Sequence, residues 1–248
     1  MTRLNLLSLC AAACLLPSIT LAADPATKPT TAPKVRTPDT ASTPDDARVA
    51  MGKHQIFLDR IKDGPIDLLF LGDSITDFWP KTGEYTWLQF AKYNPADFGI
   101  SGERTEAMLW RLNNGELEGI HPKVVVLMMG TNNIGQGNPD KPEWAAAGVT
   151  KIVQTLREKL PESKILLLAV FPRDGAKDRK RSDVERINEV ISKLDDGQHV
   201  RFLDIGKVFL DANGEIPTDV MRDHLHPTTK GYKLWYNAIS PVIDEMMK

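Results

Sequence analysis

The 248-residue chain predicts a doubly wound α/β domain with a five-stranded, mainly parallel sheet. Three observations carry that expectation. Short apolar runs alternate with amphipathic stretches through most of the chain. The runs are continuously hydrophobic rather than alternating, which marks strands covered on both faces. Loops rich in Gly, Ser and Asn follow the runs, at the strand ends where such sheets bind ligands.

In order, the first strand is expected at Ile66–Leu71 ("IDLLFL") and a helix at Tyr85–Tyr93. A strand at Ala96–Gly99 and a helix at Arg104–Leu112 follow, then the strand Val124–Met129 ("VVVLMM") and the helix Trp144–Leu160. The strand Ile165–Val170, the helix Asp183–Leu194, the strand Val200–Leu203 and the helix Gly231–Met247 complete the domain. It is expected to span residues 47–248, a single domain by size, and five Trp with eight Phe supply large side chains for one core.

Residues 1–22 read differently. Arg3 precedes the apolar stretch Leu4–Leu16, and Thr20-Leu21-Ala22 offers a small-residue cleavage site, the layout of a signal peptide. Export to the periplasm or the exterior is expected, with no stable membrane insertion after cleavage. A lipoprotein anchor at Cys14 is disfavoured because the apolar stretch runs past it. Residues 23–46 are rich in Thr, Pro, Ala and charge and cannot bury enough apolar area to offset their ordering entropy, so they are expected to form a disordered linker. Cys10 and Cys14 both precede the cleavage site, which leaves no thiol nucleophile and no cysteine-ligated zinc. With 31 basic against 33 acidic side chains, no strong field favours nucleic acid or an anionic membrane as partner.

Four loops carry the chemistry. Gly72-Asp73-Ser74 follows the first strand, and Ser74 would start a helix with its N–H and the helix dipole facing negative charge; the plainer alternative makes Asp73 or Ser74 an ordinary N-cap. Ser101-Gly102-Glu103 follows the second, with Gly102 opening the next helix or serving only as a turn glycine. Gly130-Thr131-Asn132-Asn133 follows the third, where an Asn either caps a turn or offers its amide to a ligand. Asp223-His224-Leu225-His226-Pro227 precedes the last helix. Its Asp223 can accept from Nδ1 of His226 and leave Nε2 as a base, while Pro227 restrains the backbone. A metal site of Asp223, His224 and His226 is the competing reading, but nothing nearby supplies further ligands. Together the loops place on one rim a nucleophile, Ser74, a base, His226, with its acid, Asp223, and three oxyanion donors. Those donors are the N–H groups of Ser74 and Gly102 and the amide of Asn132.

With Ser74 in "LGDSIT", Gly102 in "FGISGERT", Asn132 in "MGTNN", and Asp223 and His226 in "DHLHP", the chain resembles the SGNH, or GDSL-type, hydrolase superfamily. The run "SGERTEAMLWRLNNGELEGIHPKVVVLMMGTNN" is most similar to the catalytic α subunits of platelet-activating-factor acetylhydrolase and their bacterial relatives. Asn133, where many members have Asp, departs from the broader pattern and favours that branch. The resemblance implies a flavodoxin-like three-layer α/β/α sandwich and ester hydrolysis through an acyl-serine, without metal or organic cofactor.

For substrate, an open rim and an exported chain point to a short acyl group, most simply acetyl, on carbohydrate. The alternatives are a lysophospholipid or platelet-activating-factor-type ester and, more distantly, a catalytically silent carbohydrate-binding protein. Phe171-Pro172-Arg173 is a further strand-end loop, and the basic run Lys177–Arg181 either attracts an anionic substrate or is a solvated helix entrance. Trp79 and Trp87 are expected in the core, and homodimerisation is expected only by analogy with the named relatives.

Overall fold

The computed structural model describes residues 47–135 and 141–248; the expected leader and linker, with Cys10 and Cys14, lie outside the described residues. Helix α1 (Ala47–Lys62) leads into β1 (Leu68–Gly72). Three one-turn helices follow, α2 (Ser74–Asp77), α3 (Trp79–Thr82) and α4 (Glu84–Trp87), with a 3-10 turn at Leu88–Tyr93. Then come β2 (Pro95–Gly99), α5 (Thr105–Asn113), β3 (Val124–Met128), α6 (Thr131–Gly135), α7 (Pro142–Lys159) and β4 (Lys164–Leu168). Helix α8 (Arg179–Ile191), β5 (Val200–Leu203) and α9 (Thr229–Met246) close the chain.

All neighbouring strands pair in parallel in the order β2-β1-β3-β4-β5, so the expected α/β/α sandwich is observed. The chain moves outward from β1 to β2 and returns to the other side of β1 with β3. That reversal opens a crevice at the carboxyl ends of β1 and β3. Gly72 is level with Gly99 on one side and Met128 on the other, so the loops after β1, β2 and β3 leave the sheet at one height.

Successive strand residues point to opposite faces, which builds two cores. Leu69, Leu71, Val125, Leu127, Ile165 and Leu167 meet the aliphatic faces of α1, α5, α7 and α8. Leu68, Phe70, Val126 and Leu166 meet an aromatic cluster on the other side, where Trp79 stacks on Trp235 with ring centroids 4.0 Å apart. Trp79 is fully buried and Trp87 partly so, both in this core as expected. Full burial of one such side chain contributes about 1.5–3 kcal/mol.

Three expectations need correction. The helix expected at Tyr85–Tyr93 is instead α4 followed by the 3-10 turn, because the segment turns too tightly around the aromatic cluster for one straight helix. Helix α1 was not anticipated from the sequence, although Phe57 stacks on Phe98 with centroids 4.4 Å apart. Strand β1 begins at Leu68 and reaches Gly72, while β3 and β4 stop at Met128 and Leu168, before the chain bends into the rim loops. Among the described residues, no helix is long and apolar enough to cross a membrane.

Candidate active site

Glycine is required at the end of β1. A Cβ on Gly72 would sit 2.9 Å from the carbonyl oxygen of Met128 and closer still to Thr76. The chain turns there and Asp73 caps α2, its Oδ1 accepting from the N–H of Ile75 at 3.0 Å. Ser74 is therefore the first residue of the helix, a position whose N–H has no partner within the helix. With only four residues, α2 has little macrodipole, so the orientation of that N–H replaces the helix dipole expected from the sequence.

From the opposite side of the crevice, Nε2 of His226 lies 2.9 Å from Ser74 Oγ. Its Nδ1 lies 2.6 Å from Asp223 Oδ2. An ionised carboxylate only accepts, so Nδ1 carries the proton and Nε2 presents its lone pair to the serine hydroxyl. Asp223 Oδ1 also takes the backbone N–H groups of His226, at 2.8 Å, and Leu225, at 3.2 Å. Partial burial pushes the Asp223 carboxyl up, but the hydrogen bonds and charge of His226 outweigh it and hold the group below the ordinary carboxylate range. An antiparallel bridge between Met221 and Pro227 pins the loop. His224 turns away, with Nδ1 3.0 Å from the carbonyl oxygen of Ile216, so it is a structural neighbour.

Gly102 does not open a helix; α5 starts at Thr105, and Gly102 occupies the left-handed region at φ 77° in the preceding turn. That turn is tied to the nucleophile loop by Ile100 N–H donating to the Gly72 carbonyl at 3.1 Å. Asn132, buried in α6, donates its amide to the Glu103 carbonyl at 2.9 Å, which sets it beside Gly102. Asn133 faces elsewhere. Its Oδ1 accepts from Thr105 N–H at 3.1 Å and its amide reaches Thr105 and Glu106, so it stitches α6 to α5. Direct bonds thus join Ser74, His226 and Asp223, and a shared turn joins Gly102 and Asn132.

Asp73 is the cap and Arg173 the strand-end loop residue that the sequence offered, but the burial of Asp73, the bracing by Arg173 and the place of Phe78 were not read from it. Asp73 is wholly buried, and its Oδ2 finds no hydrogen-bond partner among the described residues. Burial pushes its carboxyl up to about 6, against the Ile75 N–H and the charges of His226 and Arg173. Arg173 braces two loops. Its guanidinium holds the carbonyl and hydroxyl of Thr131, both at 3.0 Å, and the adjoining Asp174 N–H donates to the His224 carbonyl at 2.9 Å. Within the basic run, Arg181 is buried and donates to the carbonyls of Arg173, Asp174 and Gly214, while Arg179 pairs with Asp183. These two side chains are committed to the fold rather than to an anionic ligand. Half-buried Phe78 lies beside the His226 ring, centroids 5.3 Å apart. Among the described residues, no group of three His, Cys, Asp or Glu is arranged to hold a metal.

Comparison with known proteins places the chain in a family. Residues 70–234 match the GDSL-like lipase/acylhydrolase family. The chain is 36% identical over 199 residues to the platelet-activating factor acetylhydrolase IB subunit alpha2 of Rattus norvegicus, covering 80% of this chain and 85% of the relative. A GDSL-like lipase of Bacteroides thetaiotaomicron superposes with a TM-score of 0.64 at 18% identity, over 77% of this chain and 97% of that one. An acetylxylan esterase of Geobacillus stearothermophilus does so with a TM-score of 0.57 at 19% identity, over 72% of this chain and 93% of that one. A catalytic-looking rim on a shared fold and a family match spanning most of the domain lead to one conclusion: the chain belongs to the GDSL-like lipase/acylhydrolase family and is a carboxylic ester hydrolase.

Proposed function

We infer that the protein is an exported serine esterase that removes short acyl groups, most simply acetyl, from carbohydrate through an acyl-serine intermediate. One observation carries the reading: the unbroken hydrogen-bond chain from Ser74 Oγ through His226 to Asp223, at 2.9 and 2.6 Å. Ser74 attacks the ester carbonyl as His226 Nε2 takes its proton, and the imidazolium then protonates the departing alcohol. Asp223 fixes the tautomer and stabilises the imidazolium. The N–H groups of Ser74 and Gly102 and the amide of Asn132 receive the developing oxyanion. Water, activated by the same histidine, releases the acid and restores the serine.

The acetyl and carbohydrate parts rest on the short loops after β1, β2 and β3 and on the acetylxylan esterase that shares the fold. Export rests on the charge-apolar-cleavage pattern of residues 1–22. A second reading, a platelet-activating-factor-type lipid ester, is favoured by the higher sequence identity to the acetylhydrolase subunit, 36%. Both readings share the acetyl group and differ in the alcohol.

The test compares p-nitrophenyl acetate, butyrate and octanoate, then acetylated xylan against an acetylated glycerophospholipid, using wild type and Ser74→Ala. Turnover that falls with chain length, prefers the glycan, vanishes in the variant and resists chelator supports the reading. Activity that survives Ser74→Ala rejects the serine mechanism, and preference for the phospholipid selects the second reading. Asn132→Ala is expected to lower kcat by about 10²–10³-fold with little change in KM.

A further inference from the structure

Two neighbouring residues of α1 reach the two sides of Gly102 by separate routes. Lys53 forms an ion pair with Asp77, the last residue of α2, and donates to the Gly99 carbonyl at 3.2 Å. Asp77 in turn accepts from the hydroxyl of Ser101 at 2.6 Å. The next residue, His54, places Nδ1 2.7 Å from Glu116 Oε1. Glu116 pairs with Arg111, which grips Glu103 with Nε at 2.8 Å and Nη2 at 2.9 Å and also donates to the Phe98 carbonyl at 2.7 Å. The carbonyl of Glu103 is the group that holds the Asn132 amide.

One route therefore ends on residue 101 and the other on residue 103, with Gly102 between them. The side chains of Arg111, Glu103 and Glu116 are at most 1% exposed, and that of Asp77 is 7% exposed. Buried charges have few alternative geometries, because any shift leaves a partner uncompensated. The His54 route is thus stiff from Glu116 onward, while the Lys53 route starts from a side chain 30% exposed and shares the buried Asp77 with Lys81 at 3.1 Å. Helix α1 lies wholly outside residues 70–234, the part that matches the family.

We propose that α1 is a positioning element for the oxyanion loop, acting through Lys53 and His54, and that the rate of ester hydrolysis depends on it. The proposal rests on the reading of Gly102 and Asn132 as oxyanion donors. Neither Lys53 nor His54 touches the reacting atoms. They set where the donors stand, and misplacement of a catalytic group by about 1 Å can cost about 10²-fold in rate.

The full chain with Lys53→Met, Lys53→Arg, His54→Ala and Asn132→Ala, alone and combined, tests this on p-nitrophenyl acetate, with thermal midpoints recorded alongside. Lys53→Met and His54→Ala are each expected to lower kcat about tenfold with KM within about twofold, and Lys53→Arg to restore most of the loss. In the Asn132→Ala background His54→Ala should cost about threefold or less, because the donor its route positions is already gone, whereas Lys53→Met, whose route ends beside Gly102, should keep its roughly tenfold cost. Should Lys53→Met not fold, Lys53→Gln and His54→Ala carry the same comparison.

Wild-type kcat in the α1 variants, or an undiminished loss for His54→Ala in the Asn132→Ala background, overturns the proposal and leaves α1 with a packing role through Phe57. A drop in thermal midpoint without a drop in kcat has the same meaning. If Asn132→Ala itself turns over at the wild-type rate, the oxyanion reading fails first, and the proposal falls with it.

Discussion

Two carboxylates flank the Ser74–His226 pair, and they are held in contrasting ways. Asp223 sits on a loop with its side chain 53% exposed, yet it receives the Nδ1–H of His226 and two backbone N–H groups. Asp73 is fully buried and accepts from the Ile75 N–H, while its second oxygen has no partner among the described residues. The first is held below the ordinary carboxylate range and the second is pushed up to about 6. Burial alone does not keep a carboxylate ionised. What keeps a carboxylate ionised is the number of donors aimed at it, and a surface loop can supply them more readily than a packed strand end.

The contrast yields three expectations, in falling order of effect. Asp223→Asn should lower kcat by about 10⁴-fold, since the amide favours the wrong histidine tautomer and leaves the imidazolium unsupported. Steady-state kinetics on p-nitrophenyl acetate measures it, and a loss under tenfold would mean that the exposed acid hardly matters.

The second concerns stability. Between the ordinary value of 3.8 and about 6, folded Asp73 keeps a proton that the unfolded chain releases, so its contribution worsens as pH rises through that window. At about 1.36 kcal/mol per pH unit, the penalty approaches about 3 kcal/mol above pH 6. Asp73→Asn still caps α2 but carries no charge. It should gain nothing near pH 4 and up to about 3 kcal/mol at pH 7.5, as read by urea unfolding at both values. An equal difference at the two pH values would contradict the burial argument.

The third is the smallest. Asp223→Asn should change unfolding free energy by less than about 1 kcal/mol, because the pair it belongs to is half in solvent. A larger loss would give Asp223 a structural role as well as the one proposed for it in the triad.

The site was legible where its chemistry is local. Asp223 and His226 are three residues apart, and "GDS" names a turn, a cap and a hydroxyl in succession. The sheet was legible because the central strands β1, β3 and β4 are apolar on both faces and stand out whatever their exact ends, while the edge strands β2 and β5, with Asp97 and Arg201, show a weaker pattern. What escaped lies in long-range pairing. Nothing near Lys53 in the chain hints at Asp77, 24 residues on, nor does His54 announce Glu116, 62 residues away. Segment 85–93 was misread for a different reason: its apolar residues follow the shape of an aromatic cluster rather than a single helical period. Arg181 looked like one more solvated charge because a cation that ends on three carbonyls cannot be told from a free one by sequence.

Ser74 and His226 are 152 residues apart in the chain, and the hydroxyl of Tyr232 on α9 closes on the Ile75 carbonyl across 157. Contacts of such range form late, after most of the loop-closure entropy has been spent. Ser74 and His226 are therefore strangers until the last helix docks. A chain emerging from synthesis would hydrolyse nothing until its C-terminus arrives, and recovery of turnover after denaturant dilution would time the final docking event rather than the collapse before it.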